Sequence, residues 1–129
     1  MERLKSGVFI TFSGNCRKAL TFYQTCFGGT LYFDRLDMKI TGYPGSPVVS
    51  ASLTSPNVVI YGSDLVHEEG RSVGNYVSVF LPCTDVIDRG QLVTKLAGRD
   101  DRAVLGNNEV DELVEVTDIF DVRWILGIQ

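Results

Sequence analysis

The chain has 129 residues, 44% of them hydrophobic and 22% charged, which is typical of a globular domain with its own core. Its formal net charge of −4 argues against sequence-independent nucleic-acid binding, which needs a basic face, and gives no attraction to anionic membrane. Because no apolar run approaches the roughly 20 residues that cross a bilayer and no cleavage signal follows residues 8–12, we expect a cytoplasmic protein.

The first half of the chain predicts a strand, a helix and three more strands. β-branched and aromatic residues at 7–12 predict the first strand. Asn15 is expected to cap the helix that follows, because its side-chain oxygen can accept a bond from a helix amide. Apolar residues spaced by three and four predict this helix over 16–27, and Gly28-Gly29 ends it. Further strands are predicted at 30–36, 48–54 and 58–61, with a loop at 38–47 and a polar connector at 62–75.

The second half repeats this order. Residues 76–81 predict a strand, and residues 82–85 are expected to break it. The next helix ends at Ala97-Gly98, and its packing face consists of Val86, Arg89, Leu92, Val93 and Leu96. Three more strands are predicted at 103–105, 113–116 and 122–126.

The two halves form a repeat of about 69 residues, in which Val8 matches Val77 and Gly29 matches Gly98. Pairing two modules buries more apolar surface than either module alone and shares their sheet edges. The sequence therefore predicts an α+β fold of two paired βαβββ modules within a single domain over 1–129. Module one covers about 5–63, the connector about 64–74 and module two about 75–129.

The segment from Ile10 to Tyr23, continued by Phe27-Gly28-Gly29, resembles the opening of PhnB-like proteins. These are a branch of the vicinal oxygen chelate superfamily, also called the glyoxalase, bleomycin-resistance and dioxygenase superfamily. Residues 117–126 are similar to the closing strand of that branch, and residues 49–61 to its middle. The resemblance implies a curled, cup-shaped mixed sheet with helices on its outer face, a small ligand in the cup, and a homodimer.

The resemblance also implies a divalent metal, which superfamily members usually bind through His, Glu or Gln and use as a Lewis acid. Transferred one at a time, the ligand positions fall on Val8 or Phe9, on Ser50, on Tyr76, Val77 or Ser78, and on Ile125. These side chains lack the imidazole, carboxylate or thiolate that such sites use. The only histidine, His67, lies in the connector. The sequence therefore predicts no metal and no other cofactor.

Strand alternation predicts which residues line the cup, because the helices cover the opposite side of each sheet. These residues mix aromatic, hydroxyl and cationic groups, as small-ligand pockets do. Arg123 is expected to anchor a carboxylate or phosphate, and Trp124 to lie in the core on the helix side. The alternative is that large side chains fill the cup. The predicted lining consists of Phe9, Thr11, Ser50, Ser52, Ser78, Phe80, Arg123 and Ile125.

Two residues are catalytic candidates. Cys16 lies in the first helical turn, where amides and the helix dipole can lower a thiol pKa, but a structural thiol is the simpler interpretation. The chain has three cysteines, Cys16, Cys26 and Cys83. Their number is odd and their spacing matches no metal or redox motif, so free thiols are expected. His67 could act as a general base if its loop folds over the cup; otherwise it is solvated.

Two departures from the PhnB-like pattern stand near the C-terminus. Asp121 occupies a position where glycine is usual, and Glu109-Val110 replaces an aromatic-glycine pair. The acidic stretch 109–121 predicts a solvated face; the alternative is a surface that attracts a cationic ligand.

Two functions follow. The absence of metal ligands favours a metal-free protein that binds a small organic molecule. The alternative is a lyase, transferase or dioxygenase-type enzyme whose metal or Cys/His site is not evident from the sequence, since a fold does not fix a function.

Overall fold

The computed structural model describes residues 6–35, 48–64, 74, 76–98, 104–105 and 113–128. The chain divides into two compact units, residues 1–72 and 73–129. Each unit runs strand, helix, three strands, and each has one four-stranded mixed sheet. The predicted α+β class with two βαβββ modules is therefore confirmed. That both modules make one integrated domain stays a prediction.

Unit one has strand order β1-β4-β3-β2, in which β1 is parallel to β4 and the other pairs are antiparallel. Strand β4 is longer than predicted, because Gly62 and Ser63 pair with β1 and do not belong to the connector. The elements are β1 (Val8–Thr11), α1 (Cys16–Phe27), β2 (Thr30–Arg35), β3 (Val48–Thr54) and β4 (Val59–Ser63).

The core of unit one lies between α1 and one face of its sheet. Leu20 and Tyr23 of the helix and Leu53 and Ile60 of the sheet are fully buried. Gly62 allows close approach, because a Cβ there would lie 3.1 Å from the Cys16 Sγ. The beginning of α1 therefore packs directly on β4.

Unit two has strand order β5-β8-β7-β6. Strand β5 begins later than predicted, at Val79, and runs on through Pro82 and Cys83, which were expected to break it. Proline is tolerated there because β5 is an edge strand, where an amide donor is dispensable. The elements are β5 (Val79–Cys83), α2 (Val86–Ala97), β6 (Val104–Leu105), β7 (Leu113–Thr117) and β8 (Arg123–Ile128).

The helices correct the predicted repeat by one residue. The C-caps are Gly28 and Gly98, both with positive φ, so the repeat at this point is 70 residues and Gly98 matches Gly28. Gly29 has a separate function, since a Cβ at this position would lie 2.2 Å from the Thr54 carbonyl oxygen. Glycine at 29 is therefore required by the close contact between β2 and the end of β3.

A buried carboxyl group, and not the Asn15 side chain, accepts a hydrogen bond from the first amide of α1. Asp64 Oδ1 accepts hydrogen bonds from the Gly14 and Cys16 amides, both at 2.9 Å, and its Oδ2 accepts one from the Val48 amide at 3.0 Å. Asn15 Oδ1 is buried and has no hydrogen-bond partner among the described residues. The predicted side-chain cap is wrong, because Asn15 has φ −114° and ψ 20°, whereas a capping residue is extended.

A second buried carboxyl group shapes the β7–β8 turn. Asp118 Oδ1 accepts hydrogen bonds from the Phe120 and Val122 amides, and Oδ2 accepts one from Trp124 Nε1 at 2.8 Å. Trp124 is fully buried, as predicted. In the described part of the chain, neither helix is long and apolar enough to span a membrane.

Candidate ligand-binding site

The sheet of unit one has one face against α1 and one face without a helix, here called the helix-free face. Gly62 marks the helix side, because its missing Cβ points at Cys16 and Phe12. Its neighbours in β4, Tyr61 and Ser63, therefore point to the helix-free face.

Strand register extends this assignment across all four strands. Phe9 pairs with Tyr61, Tyr61 with Ser52, and Ser52 with Tyr32. Directly paired residues share a face, so these four side chains form one line across the sheet. We call Phe9, Tyr61, Ser52 and Tyr32 the aromatic row.

A second line of side chains, the hydroxyl row, lies beside the first, two residues along each strand. It ends at an exposed carboxyl group, Asp34, which follows Tyr32 by two residues in β2, a distance of roughly 7 Å between Cα atoms. Ser50 is exposed and Ser63 is buried. The hydroxyl row consists of Thr11, Ser63, Ser50 and Asp34.

The four lining residues predicted in unit one all fall on this face, Phe9 and Ser52 in the aromatic row, Thr11 and Ser50 in the hydroxyl row. The sequence analysis missed Tyr32, Tyr61, Ser63 and Asp34. The alternation of Tyr32 and Asp34 with Leu31 and Phe33 in β2 was the available signal. The register of β2 on β3 decides which of these residues lie on the helix-free face, and the sequence alone does not predict that register.

The predicted lining of unit two lies on a comparable face. Phe80, Ile125 and Glu115 are in register, and Arg123 pairs with Thr117. Ser78 lies one residue before β5. An ion pair joins Arg123 Nη2 to Glu115 Oε1. A ligand carboxylate or phosphate at Arg123 would have to compete with Glu115, so the predicted anchor is already engaged.

The metal that the superfamily implies does not fit these residues. The transferred positions present carbon and hydroxyl groups, and Glu115, beside Ile125 in register, is held by the Arg123 guanidinium. No group of three or more His, Cys, Asp or Glu suited to a metal occurs within the residues that the structure describes. His67 lies outside the described residues.

The environment of Cys16 is the opposite of that expected for a nucleophile. Its side chain is fully buried, and burial followed by the nearby Asp64 raises the thiol pKa to about 12, against a smaller lowering by Arg17. Burial, with a smaller contribution from Asp88, also raises the pKa of Cys83. All three cysteines are free and buried, so the expected free thiols are confirmed and the simpler interpretation of Cys16 gains support.

The acidic stretch is not a uniformly solvated face. Asp118 is buried and hydrogen-bonded, and Glu115 is half-buried in its ion pair, so the prediction is wrong for both. Asp121 is exposed, as expected. Residues 109–112 lie outside the described residues.

Solved structures of several known proteins are similar to this architecture. Protein PA1353 from Pseudomonas aeruginosa matches with a TM-score of 0.77 at 20% identity, covering 98% of both chains. The PhnB protein from Bacillus cereus, described as a putative 3-demethylubiquinone-9 3-methyltransferase, matches with a TM-score of 0.74 at 21% identity, covering 98% of this chain and 100% of that one. A glyoxalase/bleomycin resistance protein/dioxygenase superfamily member from Sphaerobacter thermophilus gives 0.57 at 16% identity, covering 98% of both chains.

The chain has the vicinal oxygen chelate fold. These identities lie under 25% and establish the fold alone. No family model matches the sequence. No curated protein matches it either.

In this chain, the β7–β8 turn explains the departure at Asp121. Its φ is +66°, the one positive value for a non-glycine residue among those described. Left-handed backbone favours glycine, and Asp is one of the few other residues that tolerate it. The positive φ therefore explains why glycine is usual at this position in the PhnB-like pattern.

Proposed function

We propose that this vicinal oxygen chelate protein binds a small organic molecule without a metal, on the helix-free face of unit one. One observation carries the proposal. The ends of the aromatic row, Phe9 and Tyr32, are 60% and 63% exposed although they stand in the middle of regular strands. Hydroxyl groups of Ser50 and Ser52 lie between and beside them.

Exposed aromatic rings on a regular sheet favour a ligand for two reasons. Covering apolar area stabilises a complex by about 25 cal/mol per Å² removed from water. The strands hold the backbone of the row in place, so little conformational entropy is lost on binding. The hydroxyl groups supply hydrogen bonds that orient the ligand.

A thermal-shift screen of small metabolites and antibiotics tests the proposal, since a ligand that binds only the folded state raises the melting temperature. We expect hits whose shift is lost in the double variant Phe9→Ala/Tyr32→Ala. Tyr76→Ala is the matched control, because Tyr76 is 94% exposed in unit two and outside both rows. Hits that survive the double variant would place the ligand elsewhere.

Metal analysis of protein purified without chelator separates this function from the enzymatic alternative. We expect no stoichiometric zinc, nickel, iron or manganese. A bound metal at one equivalent, retained after dialysis, would contradict the metal-free proposal and favour a lyase, transferase or dioxygenase-type reaction.

We further propose a homodimer, on the resemblance to the PhnB-like branch. Light scattering at tens of micromolar measures the mass directly. A monomer at that concentration would contradict this part of the proposal and leave the ligand site untouched.

A further inference from the structure

We propose that the ligand of the helix-free face is a planar aromatic cation. This inference rests on the proposed function and names the chemical class that the same face would select. It depends on three features of unit one: the spacing of the aromatic row, the position of Asp34 and the contact of Arg17 with Phe33 on the other side of the sheet.

The aromatic row suits a flat ligand. Neighbouring strands lie about 4.8 Å apart, so the row spans roughly 14 Å from Phe9 to Tyr32. Tyr61 is next to Phe9 in register, and the small Ser52 separates Tyr61 from Tyr32. A fused-ring molecule can therefore stack on either end of the row and lie over the serine between the rings.

The charge of the face selects a cation. Asp34 is exposed and is the one charged group among the described side chains of this face. At the roughly 7 Å that separates residues two apart in a strand, a positive charge stacked on Tyr32 gains Coulomb energy from this carboxylate. The ring face of Tyr32 attracts a cation as well.

The same sheet already holds a cation on an aromatic ring, on its other face. The Arg17 guanidinium stands 4.3 Å from the centre of the Phe33 ring. Phe33 pairs with Ala51, and Ala51 with Gly62, so Phe33 faces α1 and the Arg17 guanidinium lies on the helix side of the sheet, not on the face that carries Asp34. An anionic ligand would meet Asp34 without a described basic partner there.

The test uses three probes at pH 7.5 and low salt: proflavine as a planar aromatic cation, anthracene-2-carboxylate as a planar aromatic anion, and choline as a cation without a ring. Fluorescence polarisation follows the first two, and calorimetry follows choline. We expect proflavine to bind at least tenfold more tightly than either comparator.

Variants then assign each part of the preference. We expect Tyr32→Ala to weaken proflavine binding about fivefold, through lost stacking and cation–π attraction. Asp34→Asn should weaken it about threefold and abolish most of its salt dependence, because screening acts only on the charge. Tyr76→Ala, the control in unit two, should leave binding unchanged. Melting temperatures of all variants confirm that they fold.

The outcomes separate this inference from the proposed function. Equal binding of proflavine and anthracene-2-carboxylate, or an Asp34→Asn variant that binds as the parent does, would overturn the cation preference. If a neutral or anionic compound from the screen still needs Phe9 and Tyr32, the site stands and its assigned ligand class is wrong. Failure of every probe and every screened compound to bind would reject both.

Discussion

The two helices begin in different ways although they occupy equivalent places in the repeat. The first amide of α1 bonds to Asp64, 48 residues further along the chain, and this junction is buried. The start of α2 is exposed and local: Asp85 accepts from the Asp88 amide at 2.8 Å, and Asp88 accepts from the Thr84 amide at 3.0 Å. Local signals thus define one helix start, and the folded sheet defines the other.

The two hairpin turns show the opposite arrangement: the local hydrogen bonds are in unit one, and the buried carboxyl group is in unit two. The β3–β4 turn closes locally, as Ser55 Oγ accepts from the Val58 amide at 3.0 Å. The β7–β8 turn uses the buried Asp118 and reaches Trp124 in the core. Among the described residues, each unit therefore has one buried carboxyl group, at the helix start in unit one and at the hairpin in unit two.

The largest expected effect is at Asp64. Replacing it with Ala leaves three backbone amides without their acceptor, two of them bonded in buried surroundings. We expect the free energy of unfolding to fall by about 3 kcal/mol or more. Denaturant unfolding measures the loss. Asp85→Ala is the matched control at the exposed helix start, where we expect about 1 kcal/mol. Equal losses would remove the contrast between the two helix starts.

Asp118→Ala is expected to cost about 2 kcal/mol, because two turn amides and the Trp124 indole lose their acceptor. Thermal unfolding, with Trp124 fluorescence as the probe, measures the change. Ser55→Ala is its counterpart in the local turn, and it should cost less. A larger loss of stability in Ser55→Ala would contradict the expectation that the buried Asp118 carboxyl group stabilises its turn more than Ser55 stabilises the local one.

Alkaline pH should lower the free energy of unfolding through Cys16, at the buried start of α1. The thiol of Cys16 has an ordinary pKa near 9 when unfolded and about 12 when folded. Its contribution to stability is complete below pH 9 and is lost as pH rises toward 12, because only the unfolded state ionises in between. The loss is about 1.4 kcal/mol per pH unit at most. Cys16→Ala should flatten the fall in unfolding free energy between pH 9 and 11. Identical slopes would contradict the raised pKa.

Asp121→Gly carries the smallest expected effect and the opposite sign. Glycine adopts φ +66° without the steric cost that Asp bears, and the Asp121 amide keeps its 3.0 Å bond to the Asp118 carbonyl. We expect a gain of about 0.5 kcal/mol, partly offset by the larger unfolded-state entropy of glycine. Chemical denaturation at neutral pH measures it. A loss of stability would show that the Asp121 side chain has another function.

Much of the fold was predictable because its signals are local. The periodicity of α1 gave its limits, Cys16–Phe27, and the alternation of β3 gave Val48–Thr54. The alternation of residues in β1 and β3 also predicted that Phe9 and Ser52 lie on the side of the sheet away from the helix. Two of the missed site residues, Tyr32 and Asp34, lie in β2, and the register of β2 on β3 decides which side of the sheet each of them faces.

The sequence by itself determined the order of elements, the repeat and the chemical character of the alternating strand positions, because hydrophobic spacing and glycine stops act within a few residues. Tertiary structure decided what depends on distant partners. Asp64 became the acceptor for α1, Glu115 occupied Arg123, and Cys16 lost its route to a reactive thiolate through burial. Each outcome depends on groups brought together by strand pairing and packing, which no local pattern encodes.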